Sequence, residues 1–413
     1  MAEIIPFRGL LYNTSKVSIE DVLAPPYDII TPEAREALYA KDPHNIVRID
    51  FGKEELGDDE TENKYTRAKR CFDVWIRDGI LVRSREPSFY PYEITYTIHE
   101  VRKRLTGFLC LVKLEALDQG SIYPHESTHS GPKVDRLNLL KACETNTSPI
   151  FSLYKSSATG ISRILSRITP TEPTFQAADA SGNLHRLWKI DHPEEIEIIR
   201  QELASRPIFI ADGHHRYETS FQYWKEMSAK RTAPSDRKPY EYTLMFLADM
   251  NDEGITILPT HRLIREIPAN IHGILSRYFE IETIPTDFDI PKKLSGKKNA
   301  FGFFRRQENV WHLLTYRGQD LSKVHPDLRE IDAIILHELI FKKILGNPEI
   351  GYEMEISKAL DRINHGEYAA GFFLNPTRVQ DVEKSALSST RMPPKSTYFY
   401  PKLLTGLVLN KLD

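Results

Sequence analysis

Along the 413-residue chain the apolar positions switch repeatedly between a spacing of two and a spacing of three to four. FYPYEITYTI and RLTGFLCLVKLEAL carry the strand pattern and read as a pair joined through the charged turn HEVRKR. Helical spacing appears at Tyr65, Cys71, Phe72 and Trp75, and that helix should stop at Gly79. A second helix should begin at Thr31-Pro32-Glu33, an N-cap followed by proline at the first position. Further on, VDRLNLLKACE reads as helix and PIFSLY as strand. Pro207 to Ala211 is a buried strand that feeds a glycine turn, then a helix with Phe221, Trp224 and Met227 on one side. YTLMFLADM and GITILPTHRLI add two more strands, EIDAIILHELIFKKIL a helix, and AAGFFLN a strand.

Strands and helices mixed in this way predict an α/β fold with α+β mixed sheets. Shifts in the pattern divide the chain into an N-terminal α+β region (1–115), a central core (116–263) and a C-terminal α+β region (264–413). No internal repeat or low-complexity tract interrupts it, which excludes solenoid and disordered classes.

Composition narrows the function classes. A net charge of -3 gives no global pull toward nucleic acid or an anionic membrane surface. The opening MAEIIPFRGLLYN lacks the basic segment and apolar run of a signal peptide, and no stretch reaches membrane-spanning length. Three widely spaced cysteines, Cys71, Cys110 and Cys143, form no C-x-x-C pair and suit a reducing compartment. A cytoplasmic protein is expected.

One stretch invites a zinc reading: His125-Glu126-Ser127-Thr128-His129 is a literal H-E-x-x-H. A zinc peptidase needs that pattern on a helix, so that residues i and i+4 share a face. Here Pro124 precedes it, Gly131-Pro132 follows closely, and the segment offers no apolar face to bury. The peptidase reading fails. What remains is a polar loop presenting Glu126, followed by Lys133 and Arg136 on the next helix; taken alone, a solvated loop is the better explanation.

A second motif changes that balance. Asp212-Gly213-His214-His215-Arg216 sits between an apolar strand and a helix, where backbone N–H groups and the helix dipole favour a phosphate. Gly213 allows close backbone approach, His214, His215 and Arg216 add donors, and Asp212 is a candidate Mg²⁺ contact. The plainer reading, a helix cap with surface histidines, accounts less well for so many polar groups at one strand end. Neither a G-x-x-x-x-G-K-[ST] nor a G-x-G-x-x-G motif is present.

Together, YPHE (Tyr123 to Glu126) and the strand–DGHHR–helix unit resemble the free serine kinases, of the superfamily that includes the ParB amino-terminal domain and sulfiredoxin. APPYDII (Ala24 to Ile30), LPTHR (Leu258 to Arg262) and MPPKSTYFYPKLLTGLV (Met392 to Val408) look like a large prokaryotic family long catalogued as uncharacterised. Some of its members are understood to be pyrophosphate-dependent serine kinases. The resemblance implies a ParB/sulfiredoxin-like catalytic core over 116–263 and the reaction of free L-serine with pyrophosphate to O-phosphoserine and phosphate. It carries the base onto Glu126, and the phosphate and metal contacts onto Asp212 through Arg216, with Mg²⁺ as cofactor. His215 and Asp212 join Glu126 as the expected catalytic residues.

Chemistry alone suggests the rest. A small anionic donor calls for additional cations, which Arg391, Lys395 and Lys402 supply, with the hydroxyls of Ser396 and Thr397; a basic surface loop is the equal alternative. Asp28, Lys133, Arg136, His261 and Arg262 are candidate substrate contacts, each with an ordinary structural explanation beside it. The competing assignments are an ADP- or ATP-dependent serine kinase and, from another class, a ParB-like nucleotide- or DNA-binding protein. The mild acidity and lack of a recognition-helix pattern disfavour the latter. A sulfiredoxin-like reductase lacks its cysteine at the phosphate motif. Small-molecule substrates are expected, without nucleic-acid or membrane partners.

Overall fold

The computed structural model describes residues 2–413 apart from 118, 129, 157–158, 205, 231–237, 287 and 389. Two compact units emerge. The first comprises Met1–Pro124, Thr128–Ile255 and Pro401–Asp413, the second His125–Ser127 and Thr256–Tyr400. Helices, one mixed sheet and several antiparallel sheets give the α/β (α+β) fold that the alternating pattern predicts.

The first unit is built on a nine-stranded sheet. Its strands are β1 (Ile4–Ile5), β2 (Tyr90–Ile98), β3 (Val101–Lys113), β4 (Ile122–Pro124), β5 (Ile150–Tyr154), β6 (Phe175–Ala178), β7 (Leu184–Leu187), β8 (Ile208–Asp212) and β9 (Tyr242–Asp249). They lie in the order β4-β8-β5-β9-β3-β2-β7-β6, with β1 also on β3. The β4–β8 and β5–β9 pairs are parallel, and the other pairs antiparallel. Central strands such as β9 read as unbroken apolar runs because both faces are covered.

Helix α1 (Pro32–Lys41) starts where Thr31 accepts the Ala34 N–H, and α2 (Lys64–Arg77) starts on a capping box built from Asn63 and Thr66. The β2–β3 turn is tighter than the charge pattern suggested. Only His99 and Glu100 form it, both at positive φ, so Val101 to Arg104 belong to the strand. Helix α3 (Ser130–Cys143) packs on α4 (His214–Ala229). On α4 the deepest positions are His214, Tyr217, Thr219, Ser220 and Tyr223, while Phe221 and Trp224 pack at the margin of the core. The apolar stripe alone misses this, because α3 also covers polar positions.

The second unit has a six-stranded sheet of β10 (His261–Ile264), β11 (Phe279–Ile284), β12 (Ala300–Arg305), β13 (Trp311–Tyr316), β14 (Ile350–Glu353) and β15 (Ala370–Leu374), ordered β11-β13-β12-β15-β10-β14. Helix α5 (Ile271–Leu275) and helix α6 (332–344) contribute to its apolar core beside Phe301, Phe303 and Phe372. From Leu336 onward α6 widens to π-type bonding, and the Leu345 N–H closes it on Ile340 O at 2.9 Å. The stretch GITILPTHRLI, expected as one strand, is two. Pro259 has no N–H to continue a ladder, so Thr256–Leu258 pairs with Tyr398–Tyr400 and only His261–Ile264 enters the sheet.

Gly107 on β3 marks a close backbone approach in the large sheet. A Cβ there would sit 2.3 Å from Leu247 O and 2.5 Å from the Phe246 ring. Gly107→Ala should therefore destabilise the protein by about 3 kcal/mol, read as a lower urea midpoint. An unchanged midpoint would mean that β9 yields freely.

Candidate functional site

Strands β4 and β8 run side by side in the same direction, Ile122 beside Ile208 and Pro124 beside Ile210. Glu126 comes two residues after Pro124, and Asp212 two after Ile210. The two strands themselves therefore end on the same side of the sheet.

After β8 the chain turns on Gly213, which caps α4 at φ 96°. That left-handed conformation favours glycine, and a Cβ would also lie 2.9 Å from Arg216 Nε. With no side chain in the way, Arg216 folds back. Its Nη2 donates to Asp212 Oδ2 at 2.8 Å and its Nη1 donates to Pro149 O. Lys402 Nζ donates to the other oxygen, Asp212 Oδ1, at 2.8 Å. His214 is buried and His215 half-buried at the first two helix positions, where backbone N–H groups point out along the axis. The result is a turn rich in donors, with its single carboxylate held between two cations. A carboxylate so neutralised does not fit direct Mg²⁺ ligation and suits contact through water.

Within the second unit the segment 125–127 is fastened to the loop 392–397. Met392 N–H donates to His125 O at 2.7 Å and Ser127 N–H to Met392 O at 3.1 Å. Glu126 Oε1 accepts the Lys395 N–H at 2.7 Å, and Oε2 accepts the Thr397 hydroxyl at 3.4 Å. The fully buried His125 places Nε2 2.9 Å from Thr397 Oγ1. Lys395 adopts φ 59°, uncommon for a residue with a side chain. Its peptide is gripped twice, through its N–H by Glu126 and through its carbonyl by Arg262 Nη2 at 3.3 Å. The backbone of this loop and Thr397 orient Glu126. Ser396 is buried, donating to Pro393 O at 2.7 Å and accepting at its carbonyl from Thr377. Arg391 lines a cavity of about 300 Å³ with Ser127, Lys323, His325, His337 and Lys342.

Arg262 is buried, which lowers its guanidinium to about 10, with the Tyr352 and Glu126 side chains acting in the opposite sense. Tyr352 lies across from Arg262 in the β10–β14 register and has no distinguishing sequence signal. His261 is buried beside Arg262; burial first, then that positive charge, lowers its imidazole to about 3. Its Nδ1 accepts the Leu374 N–H at 3.4 Å, so His261 is a neutral core residue.

The remaining candidates lie in the first unit. Asp28 is exposed on the short turn Tyr27–Ile29. Lys133 donates to Glu218 on α4 at 2.8 Å. Arg136 is buried, paired with Asp50 at 3.3 Å and Asp135 at 2.6 Å, with its guanidinium 4.1 Å from the Tyr27 ring centre. Residues 125–128 are not helical, which removes the geometry a zinc peptidase requires; His129 lies outside the described residues.

A model of the family described as protein of unknown function, DUF1015, matches residues 4–334, well over half of the sequence. The chain belongs to the DUF1015 family. Comparison with the curated proteins finds no match. Among solved structures, the chain is similar to a free serine kinase in complex with AMP, at 12% identity and TM-score 0.37, over 71% of this chain and 98% of that one. A C-terminally truncated SbnI from Staphylococcus aureus matches at 11% identity and TM-score 0.36, over 72% and 85%. A conserved hypothetical protein from Pyrococcus furiosus matches at 13% identity and TM-score 0.35, over 70% and 92%. Likeness at this level carries no argument about activity. Among the described residues of this DUF1015 member no helix is long and apolar enough to cross a membrane.

The buried His261 and the half-buried Asp332 in the second unit give opposite pH dependences. His261 is held near 3, below its ordinary 6.5, so its contribution is present above 6.5 and is lost as pH falls toward 3. Burial raises Asp332 from 3.8 to about 7, so its contribution is present below 3.8 and is lost as pH rises through 7. Between about pH 4.5 and 6 each contributes a slope of about 1.4 kcal/mol per pH unit, with opposite signs. Urea titrations should show stability falling with rising pH in His261→Gln and rising in Asp332→Asn. Equal slopes in both variants would contradict the assignment.

Proposed function

We propose that this protein is a phosphotransferase that phosphorylates the hydroxyl of free L-serine, with pyrophosphate as donor. The observation that carries this reading is the Gly213 turn, which gathers His214, His215, Arg216 and Lys402 around Asp212 at the start of a 16-residue helix. A transferring phosphoryl group needs convergent donors and positive charge more than covalent chemistry. Glu126 joins this reading as a carboxylate whose direction the Lys395 N–H and Thr397 fix.

In this reading His214, His215 and the helix N–H groups bind the phosphoryl oxygens. Arg216 and Lys402 position Asp212 and add positive charge. Glu126, oriented by the Lys395 N–H and Thr397, accepts the proton of the serine hydroxyl as its oxygen bonds to phosphorus. The bridging P–O bond of pyrophosphate breaks, and inorganic phosphate leaves. Asp212 would hold an Mg²⁺ ion through water, and that ion would supply charge neutralisation for the phosphate oxygens. Pyrophosphate has no base or sugar to recognise, which suits a site made of cations and N–H groups. In this reading residues 116–263 hold a ParB/sulfiredoxin-like catalytic core, and the protein works in the cytoplasm on small molecules.

Incubating the purified protein with L-serine or L-threonine and with pyrophosphate, ADP or ATP tests the assignment. Phosphoserine should form from serine and pyrophosphate. Formation only with ADP or ATP would replace the donor, and no product with any pair would remove the kinase reading. Glu126→Gln should lower kcat by about 10²- to 10⁴-fold with little change in donor binding. His215→Ala should raise the KM for the donor; a lower melting temperature with unchanged kinetics would assign His215 to helix capping alone.

A further inference from the structure

Away from these motifs, three side chains from three segments of the second unit converge on one point. His272 stands on helix α5, Glu308 in the turn after β12, and His312 on β13. His272 Nε2 lies 2.8 Å and His312 Nε2 2.9 Å from the same oxygen, Glu308 Oε2. The imidazole centres are 4.4 Å apart, and one ligand atom from each residue falls within 4.8 Å of the others. We propose that His272, Glu308 and His312 form a binding site for a divalent transition-metal ion of the zinc class.

One imidazole on a surface carboxylate is an ordinary contact. Two imidazoles from separate elements turned onto a single oxygen form the donor set that a tetrahedral ion gathers, with His₂Glu ligation and one position left for water. The nitrogen donors select against Mg²⁺ and Ca²⁺, which prefer oxygen throughout. Supporting contacts are already in place. Arg305 Nη1 donates 2.9 Å to the oxygen of Glu308 that faces away from the imidazoles. His312 Nδ1 lies 3.4 Å from Thr283 Oγ1, so once Nε2 binds metal the Nδ1 proton has an acceptor. Phe303, fully buried, packs against both imidazoles at 5.8 and 6.0 Å.

His312 is fixed in the middle of the sheet, opposite Thr283 on one side and Phe303 on the other. The side chains of His272 and Glu308 are about one-third and one-quarter exposed, at 34% and 27%, which leaves the fourth position open to solvent. An ion here would clip α5 to the β12–β13 hairpin. This site is independent of the proposed kinase chemistry.

The test uses the full-length protein, stripped with EDTA, desalted and titrated with Zn²⁺ by calorimetry, with Mg²⁺ as the comparison. One equivalent of Zn²⁺ should bind with Kd at or below about 1 μM, and Mg²⁺ should give no comparable heat. His272→Ala and Glu308→Gln should each weaken Zn²⁺ binding by about 100-fold or more. Co²⁺ should give a visible absorption band in the wild type that both variants lose. Circular dichroism melts of the metal-free proteins check folding, and the partly exposed His272 provides the variant least prone to misfold. Absence of stoichiometric Zn²⁺ binding, or binding that His272→Ala and Glu308→Gln leave unchanged, overturns the proposal.

Discussion

Parallel pairing of Ile122–Pro124 with Ile208–Ile210 is the constraint on which the functional reading depends. Parallel neighbours end at the same side of a sheet, and these two strand ends lie more than eighty residues apart in sequence. Shifting that pairing by one residue would turn the side chains of β4 to the other face and misplace everything that follows Pro124. The burial of Ile122, Ile208 and Ile210 resists such a shift, because slippage would expose apolar surface that now lies in the core.

Each motif is then set by a local device suited to its chemistry. At Asp212 the device is the absence of a side chain on Gly213, which lets Arg216 turn back and compensates the carboxylate with charge from Arg216 and Lys402. At Glu126 it is a strained loop. Lys395 holds a left-handed conformation that costs roughly 1 kcal/mol or more, offset by bonds to Glu126 at its N–H and to the buried Arg262 at its carbonyl. Strain of this kind persists where the surroundings dictate the conformation, and here it fixes the direction of one carboxylate.

Much of this was legible in the sequence because it is local. The Thr31-Pro32 helix start, the pair of strands at 90–113 and the strand–glycine–helix unit at 208–229 each depend on neighbouring residues alone. Pro259 also carried a readable signal, and the division of 256–264 at that proline follows from its missing N–H. What was hidden depends on residues far apart in the chain. No pattern near Arg136 announces that Asp50 will bury it, and none near Lys395 announces that its peptide, rather than its ammonium, is what Glu126 uses. The His272–Glu308–His312 cluster leaves only a faint mark, an E-x-x-x-H across a turn, while its third member comes from another element. The family match covers residues 4–334, so the MPPKST loop that orients Glu126 lies beyond the matched segment.

The central claim is that the turn from Asp212 to Arg216 is a phosphate cradle. A crystal structure of the protein soaked with methylenediphosphonate, which has a non-hydrolysable P–C–P bridge, tests it most directly. The account predicts diphosphonate oxygens within hydrogen-bonding distance of the backbone N–H groups and imidazoles of His214 and His215. Diphosphonate bound at another site, with the Asp212–Arg216 turn untouched, would contradict it.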